Sequence, residues 1–348
     1  MAKPYKIRIK LDMTKVQKNN VYMKELIEAF PEDLNEALII AKNNTLKKKY
    51  PKFTNVVICG MGGSGIGGKL VASWIMDEIN IPVNFCQDYS LPNYVNETTL
   101  IIASSNSGNT EEVISASKDG YSRGACIVGI CSGGKLEAFC NLHEFESIIV
   151  PNGKPPRTTL AFSIVQLVHV FSELNLINKN RIKEFNLAHD LLKSEKEEIQ
   201  GEAKKLASFV NGKELIIYSE SKDEAVAIRA RQQFNENSKI LCNHHTVPEM
   251  NHNELVAWEG GSNRYAVVFL NTNDWNVQNV KRQSFSIQVI EKKTEHILFL
   301  SAKGDSILVR SLYLIHLIDW ASLYLAEINS VDAVCINIID ELKNYLKN

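Results

Sequence analysis

Leu100-Ile101-Ile102-Ala103, then Ser105-Asn106-Ser107-Gly108-Asn109-Thr110, then Glu111-Glu112-Val113-Ile114-Ser115-Ala116: this stretch decides how the chain is read. The first run is apolar and short, the pattern of a buried strand. The last reads as the opening turns of a helix. Between them lie three hydroxyls and a glycine. The free N–H groups and positive dipole of a helix N-terminus favour an anion. Hydroxyls add donors without adding charge, so a phosphate monoester fits. The same residue types also cap helices that bind nothing.

Outward from that loop the rhythm persists. Strands are expected at Asn55–Cys59, Val83–Cys86, Cys126–Cys131 and Glu146–Val150. Helical stretches alternate with them at Gly67–Glu78, Asn109–Ser122 and Gly134–Phe139. Alternating β and α units imply a parallel sheet covered on both faces, with ligands at the carboxyl ends of the strands. A Pro/Gly break follows at Pro151-Asn152-Gly153-Lys154-Pro155-Pro156, then helices up to about residue 210. The alternation restarts with strands at Glu214–Tyr218, Tyr265–Leu270, Ser286–Ile290 and His296–Leu300 and a helix from Asp223 to Phe234. A long helix over Ile307–Ile328 and a short one near Leu342 close the chain. The expected organisation is α/β: an N-terminal helical segment (1–50), a first α/β domain (51–155), connecting helices (156–210), a second α/β domain (211–330) and a C-terminal helix (331–348).

Composition narrows the function classes. A formal net charge of −1 argues against a nucleic-acid or anionic-membrane partner. No apolar run is read as approaching the ~20 residues of a membrane span, and Met1-Ala2-Lys3-Pro4-Tyr5-Lys6 lacks a signal-peptide core. Seven cysteines are scattered without a Cys-x-x-Cys pair, as expected of free thiols in a reducing compartment. A cytoplasmic location is expected.

Four constellations carry the chemistry. Gly60-Met61-Gly62-Gly63-Ser64-Gly65 contains the spacing of a dinucleotide-binding turn, but only Asp88 loosely offers the acidic residue such a site needs. Two loops of this kind in one sheet suit a phosphorylated sugar better. Arg157 follows the proline break and is placed to reach the same crevice. Glu236 closes a helix, where the negative dipole end would raise its pKa toward that of a general base. Last, Cys242-Asn243-His244-His245-Thr246-Val247-Pro248-Glu249-Met250-Asn251-His252-Asn253-Glu254 holds the one histidine cluster. No pair in it has helical ligand spacing, so a catalytic histidine, His252, is favoured over a metal site.

Together, Gly60–Gly65, Ser105–Thr110, Pro155-Pro156-Arg157, Asn235-Glu236-Asn237 and Pro248–Glu254 resemble the motifs of the bifunctional phosphoglucose/phosphomannose isomerases. That family is built from two tandem, flavodoxin-like sugar isomerase (SIS) domains. The resemblance spans roughly residues 20–347. It implies that Ser105, Ser107 and Thr110 bind a sugar 6-phosphate and that Gly62, Gly63 and Ser64 line the sugar. It gives Arg157 the charge of an enediol intermediate, Glu236 the proton between C1 and C2, and His252 the ring opening, from the partner subunit of a homodimer. Lys343 matches a family lysine that contacts substrate. No metal and no nicotinamide cofactor are implied. The family often has Asp-Pro with further prolines where this chain has Asp332-Ala333-Val334-Cys335-Ile336, so acceptance of both C2 epimers is less secure than isomerisation. The alternatives are a non-catalytic sugar-phosphate-binding SIS protein and a dinucleotide-dependent enzyme.

Overall fold

The computed structural model describes residues 13–346; the N-terminal Met1–Lys6 stretch weighed above lies outside them. Two helices come first, α1 (Met13–Glu28) and α2 (Phe30–Asn43). The first β/α series then runs β1 (Asn55–Cys59), α3 (Gly62–Ile75), β2 (Val83–Cys86), β3 (Thr99–Ser105), α4 (Glu111–Ser122), β4 (Cys126–Cys131), α5 (Gly134–Leu142) and β5 (Glu146–Ile149). Three helices connect it to the second series: α6 (Leu160–Glu173), α7 (Glu184–Ser194) and α8 (Lys196–Val210). That series is β6 (Glu214–Glu220), α9 (Glu224–Glu236), β7 (Cys242–Val247), α10 (Glu254–Ala257), β8 (Tyr265–Asn271), α11 (Val277–Ile290), β9 (Ile297–Ser301) and α12 (Ile307–Ile328); α13 (Asn337–Tyr345) ends it.

Both sheets are parallel throughout, ordered β2-β1-β3-β4-β5 and β7-β6-β8-β9. The chain leaves β1 for one neighbour, then returns to its other side at β3, so helices depart to opposite faces there. The crevice this opens at the strand ends is where ligands of such sheets sit. The Gly60–Gly65 loop follows β1 and the Ser105–Thr110 loop follows β3, which pairs with it in register (Cys59 opposite Ala103). Every residue of β1 and β3 is buried, which explains their unbroken apolar runs.

Three readings change. Ser286–Ile290 is not a strand but the last turns of α11. Ser286 and Ile290, four apart, are its buried side, and the Ser286 hydroxyl donates to the Arg282 carbonyl at 2.8 Å. A run this short does not separate the two periods. Cys242–Val247, where no strand was expected, is the edge strand β7, with Leu215 opposite Cys242. An edge strand tolerates the polar side chains that hid it. α12 is also long and apolar enough to cross a membrane, contrary to the reading of the sequence. However, 83% of its 18-residue apolar window is buried, so it is a core helix. Leu314 and Ile318 of α12 share one core with Met23, Ile27, Phe30 and Leu34 of the N-terminal helices and with Val165 and Val168 of α6.

Candidate active site

The hydroxyl loop is built around two close contacts. Ser105 is the buried last residue of β3, and its Oγ lies 2.8 Å from Thr110 Oγ1. Thr110 stands at the N-cap of α4 with extended backbone (φ −69°, ψ 119°), but its side chain makes no capping bond. The hydroxyl expected to cap the helix is turned to Ser105, and among the described residues no side chain caps the first N–H groups of α4. An anion then has both the dipole and free donors. The Ser107 hydroxyl accepts from the Asn109 N–H at 3.2 Å. Gly108 has φ +65°, and a Cβ there would fall 1.7 Å from the Gly133 carbonyl oxygen. Only glycine lets the loop lie on the β4–α5 turn. Gly108 O in turn accepts from Leu136 N, at 2.9 Å.

The glycine loop is tied to it. Asn106 N donates to Ser64 Oγ at 3.1 Å. The glycines do more than precede α3; Gly62 and Gly63 are its first residues, earlier than the expected start at Gly67. A Cβ on Gly63 would meet the Pro156 carbonyl oxygen at 2.8 Å, so the loop packs against the segment that carries Arg157.

Arg157 sits in a single turn, Pro156–Thr158, with 3% of its side chain exposed. Its Nε donates to Asn237 Oδ1 (2.8 Å) and its Nη2 to the carbonyls of Ala333 (2.5 Å) and Val334 (3.1 Å). Its Nη1 faces Glu236 Oε2 at 3.4 Å. Burial pulls the guanidinium below its ordinary pKa, and Glu236 pushes it back up. The backbone carbonyl of Arg157 accepts from Arg229 Nη2 (2.8 Å). Arg229 is held against Asp319 of α12 at 3.1 and 3.0 Å, and Gln233 donates to the same carboxylate at 2.7 Å. Thus α9 and α12 fix Arg157, and Glu236, the last residue of α9, is presented to it. The arrangement holds one carboxylate beside one oriented cation, next to a loop with anion-binding donors. That suits a proton transfer in which negative charge develops on an oxygen.

Two residues quoted in the sequence without a role, Asn237 and Asp332, support the site. Asp332 Oδ1 accepts from the N–H groups of Val334 and Cys335, both at 2.9 Å, which shapes the turn whose carbonyls hold Arg157. Asn19 Nδ2 donates to Asp332 Oδ2 (2.7 Å), and Asn20 Oδ1 accepts from Ala333 N (2.9 Å). The N-terminal helix thereby supports the site, a link that no local motif announces.

Two named residues stand elsewhere. His252 ends a short turn, Glu249–His252, after β7 and is exposed. Among the described residues no hydrogen bond or ion pair joins it to Arg157 or Glu236. Lys343 lies on α13, exposed, with Asp340 Oδ1 at 3.5 Å as its partner. Consecutive His244 and His245 lie on strand β7, so their side chains alternate between faces. Among the described residues, no three His, Cys, Asp or Glu side chains are grouped to hold a metal.

Comparison with known proteins bears on this geometry. Residues 199–346 match the family model of the bacterial phospho-glucose isomerase C-terminal SIS domain. The chain is 36% identical over 334 residues to a bifunctional phosphoglucose/phosphomannose isomerase of Caldicellulosiruptor bescii, covering 93% of this chain and 98% of that one. It is 32% identical over 312 residues to the protein of that name from Aquifex aeolicus, covering 87% and 93%. Its fold is shared with the C-terminal domain of glucosamine-fructose-6-phosphate aminotransferase from Francisella tularensis, with a TM-score of 0.69 at 15% identity over 90% of this chain and 98% of that one. Identity at this level over nearly the whole length of a relative leaves one assignment: the chain is an isomerase and belongs to the bifunctional phosphoglucose/phosphomannose isomerase family.

Proposed function

We propose that the protein interconverts glucose 6-phosphate and fructose 6-phosphate, and mannose 6-phosphate and fructose 6-phosphate, through a cis-enediol. The 6-phosphate sits on the free N–H groups at the start of α4 with Ser105, Ser107 and Thr110, while Gly62, Gly63 and Ser64 face the sugar. Glu236 takes the proton from C2 of the open aldose and returns it to C1, giving the ketose. The charge left on the substrate oxygen is met by Arg157, whose guanidinium is already fixed by Asn237 and two carbonyls and needs no reorganisation. The observation that carries this reading is the 3.4 Å pairing of Glu236 with that fixed cation.

The exposed His252 and Lys343 fit a homodimer in which the site is completed across the interface, His252 arriving from the partner to open the ring. All seven cysteines are free thiols, in keeping with a cytoplasmic place. The decisive experiment is a coupled assay with both aldose phosphates, wild type beside Glu236→Gln. A positioned base contributes on the order of 10²–10⁴ in rate, so the variant should lose at least about a hundredfold in kcat while still binding substrate. Near-native turnover in Glu236→Gln removes the proton-transfer assignment.

A further inference from the structure

Three residues beyond the base stands a second cation. Lys239 has φ +58°, the left-handed region where glycine is the usual residue after a helix and a side chain costs energy. The backbone leading to it cannot relax that strain. Asn237 and Ser238 are buried and pinned to α12, Asn237 Nδ2 donating to Ser322 Oγ (2.9 Å) and Ser238 Oγ to the Ser322 carbonyl (2.6 Å). From this position the Lys239 ammonium folds back and donates to the Glu236 carbonyl.

The two cations beside Glu236 differ in what they have left to give. Arg157 has Nε and Nη2 committed to Asn237 and two carbonyls, and Nη1 turned to Glu236. The Lys239 ammonium carries three donors, and the Glu236 carbonyl takes one. Although Lys239 is an exposed residue, desolvation of its ammonium and the charge of Arg157 make it less basic than an ordinary lysine; Cys335, Asp332 and Glu236 act in the opposite direction. It stands in the field of the catalytic pair rather than in open solvent. A lysine whose only task was to end α9 would be better replaced by glycine. Strain retained beside reacting groups points to use of the side chain.

We infer that Lys239 is a further substrate-facing cation of the isomerase, its ammonium moving from the Glu236 carbonyl to hydrogen-bond the oxygen on which the enediolate charge develops. The inference rests on the proposed proton transfer by Glu236. Arg157 is then the fixed part of the oxyanion site and Lys239 the part that engages when substrate is present.

Glycine supplies the test because it suits the backbone and removes the ammonium. Lys239→Gly, Lys239→Arg and Glu236→Gln are assayed beside wild type for kcat, KM and melting temperature, with fructose 6-phosphate as substrate. Loss of one oxyanion donor costs about 10²–10³ in turnover. Lys239→Gly should therefore lose about a hundredfold in kcat with KM within about threefold of wild type and a melting temperature equal or higher. Lys239→Arg, or added methylammonium with Lys239→Gly, should recover part of the loss. Wild-type turnover in Lys239→Gly overturns the inference. So does a loss that comes with a lowered melting temperature and no recovery in Lys239→Arg. If Glu236→Gln is inactive while Lys239→Gly is unimpaired, this inference alone falls; if Glu236→Gln is active, the proposed reaction falls first.

Discussion

Asp319→Ala should destabilise the protein by about 3–5 kcal/mol, the usual cost of stranding one member of a buried ion pair. Arg229 is 1% exposed and Asp319 5%, and the guanidinium meets both carboxylate oxygens at 3.1 and 3.0 Å. Burial pushes the Asp319 carboxyl up, against the pull of Arg229 and Gln233. Removing the carboxylate leaves Arg229 charged and dry, with the Arg157 carbonyl as its remaining acceptor. The double variant Arg229→Met/Asp319→Leu removes both charges and both desolvation costs. It should regain part of the loss and stay short of wild type, because the buried Arg157 carbonyl loses its donor and the buried Gln233 amide its acceptor, each at about 1–3 kcal/mol. Urea unfolding at pH 7 measures both variants, after two-state behaviour is checked with two probes. Turnover should separate from stability. The double variant folds, yet the peptide that carries Arg157 has lost its anchor, so kcat falls well below wild type. A double variant as unstable as Asp319→Ala would show that the pair is net stabilising. A double variant with wild-type kcat would show that Arg229 does not position Arg157.

Gly108→Ala should cost about 1–2 kcal/mol for the left-handed backbone and about 1–3 more for the clash, since its Cβ would lie 1.7 Å from a backbone oxygen. A fall in melting temperature with a raised KM for sugar phosphate is expected; unchanged values for both would mean that the loop does not hold the phosphate. Asp223 is 1% exposed, and burial, countered in part by Thr272 and Lys222, pushes its carboxyl up to about 6. Its unfolded value is about 3.9. The folded state therefore prefers the protonated form, and its contribution is full below about pH 4 and is lost as pH rises through 6. Two units correspond to about 3 kcal/mol, so Asp223→Asn should lose less stability than wild type between pH 4 and 6.5, read as urea midpoints. Identical pH dependence in the two proteins would refute the shift.

Local chemistry made much of this protein legible. The unbroken apolar runs Val56–Cys59 and Leu100–Ala103 become strands buried on both faces. Ser/Gly clusters after them mark helix starts at the ligand edge of a parallel sheet. Pattern failed where burial was one-sided or short. β7 is an edge strand with polar side chains, and the end of α11 is too brief to show its period. The Glu236–Arg157 pair was suspected residue by residue, but its 3.4 Å contact joins positions 79 apart in the chain.

The sequence by itself determined that the chain alternates β and α, where its two Ser/Gly-rich loops fall and which residue types are available for acid–base work. These depend on neighbours within a few positions, so a local pattern encodes them. Only the tertiary structure decided what holds those residues. Asn20 of α1 braces the turn whose carbonyls fix Arg157, Asp319 of α12 anchors Arg229, and Ser322 pins the backbone between Glu236 and Lys239. Such contacts form when distant segments share one core, and an isolated Asn, Asp or Ser carries no mark of the partner it will meet.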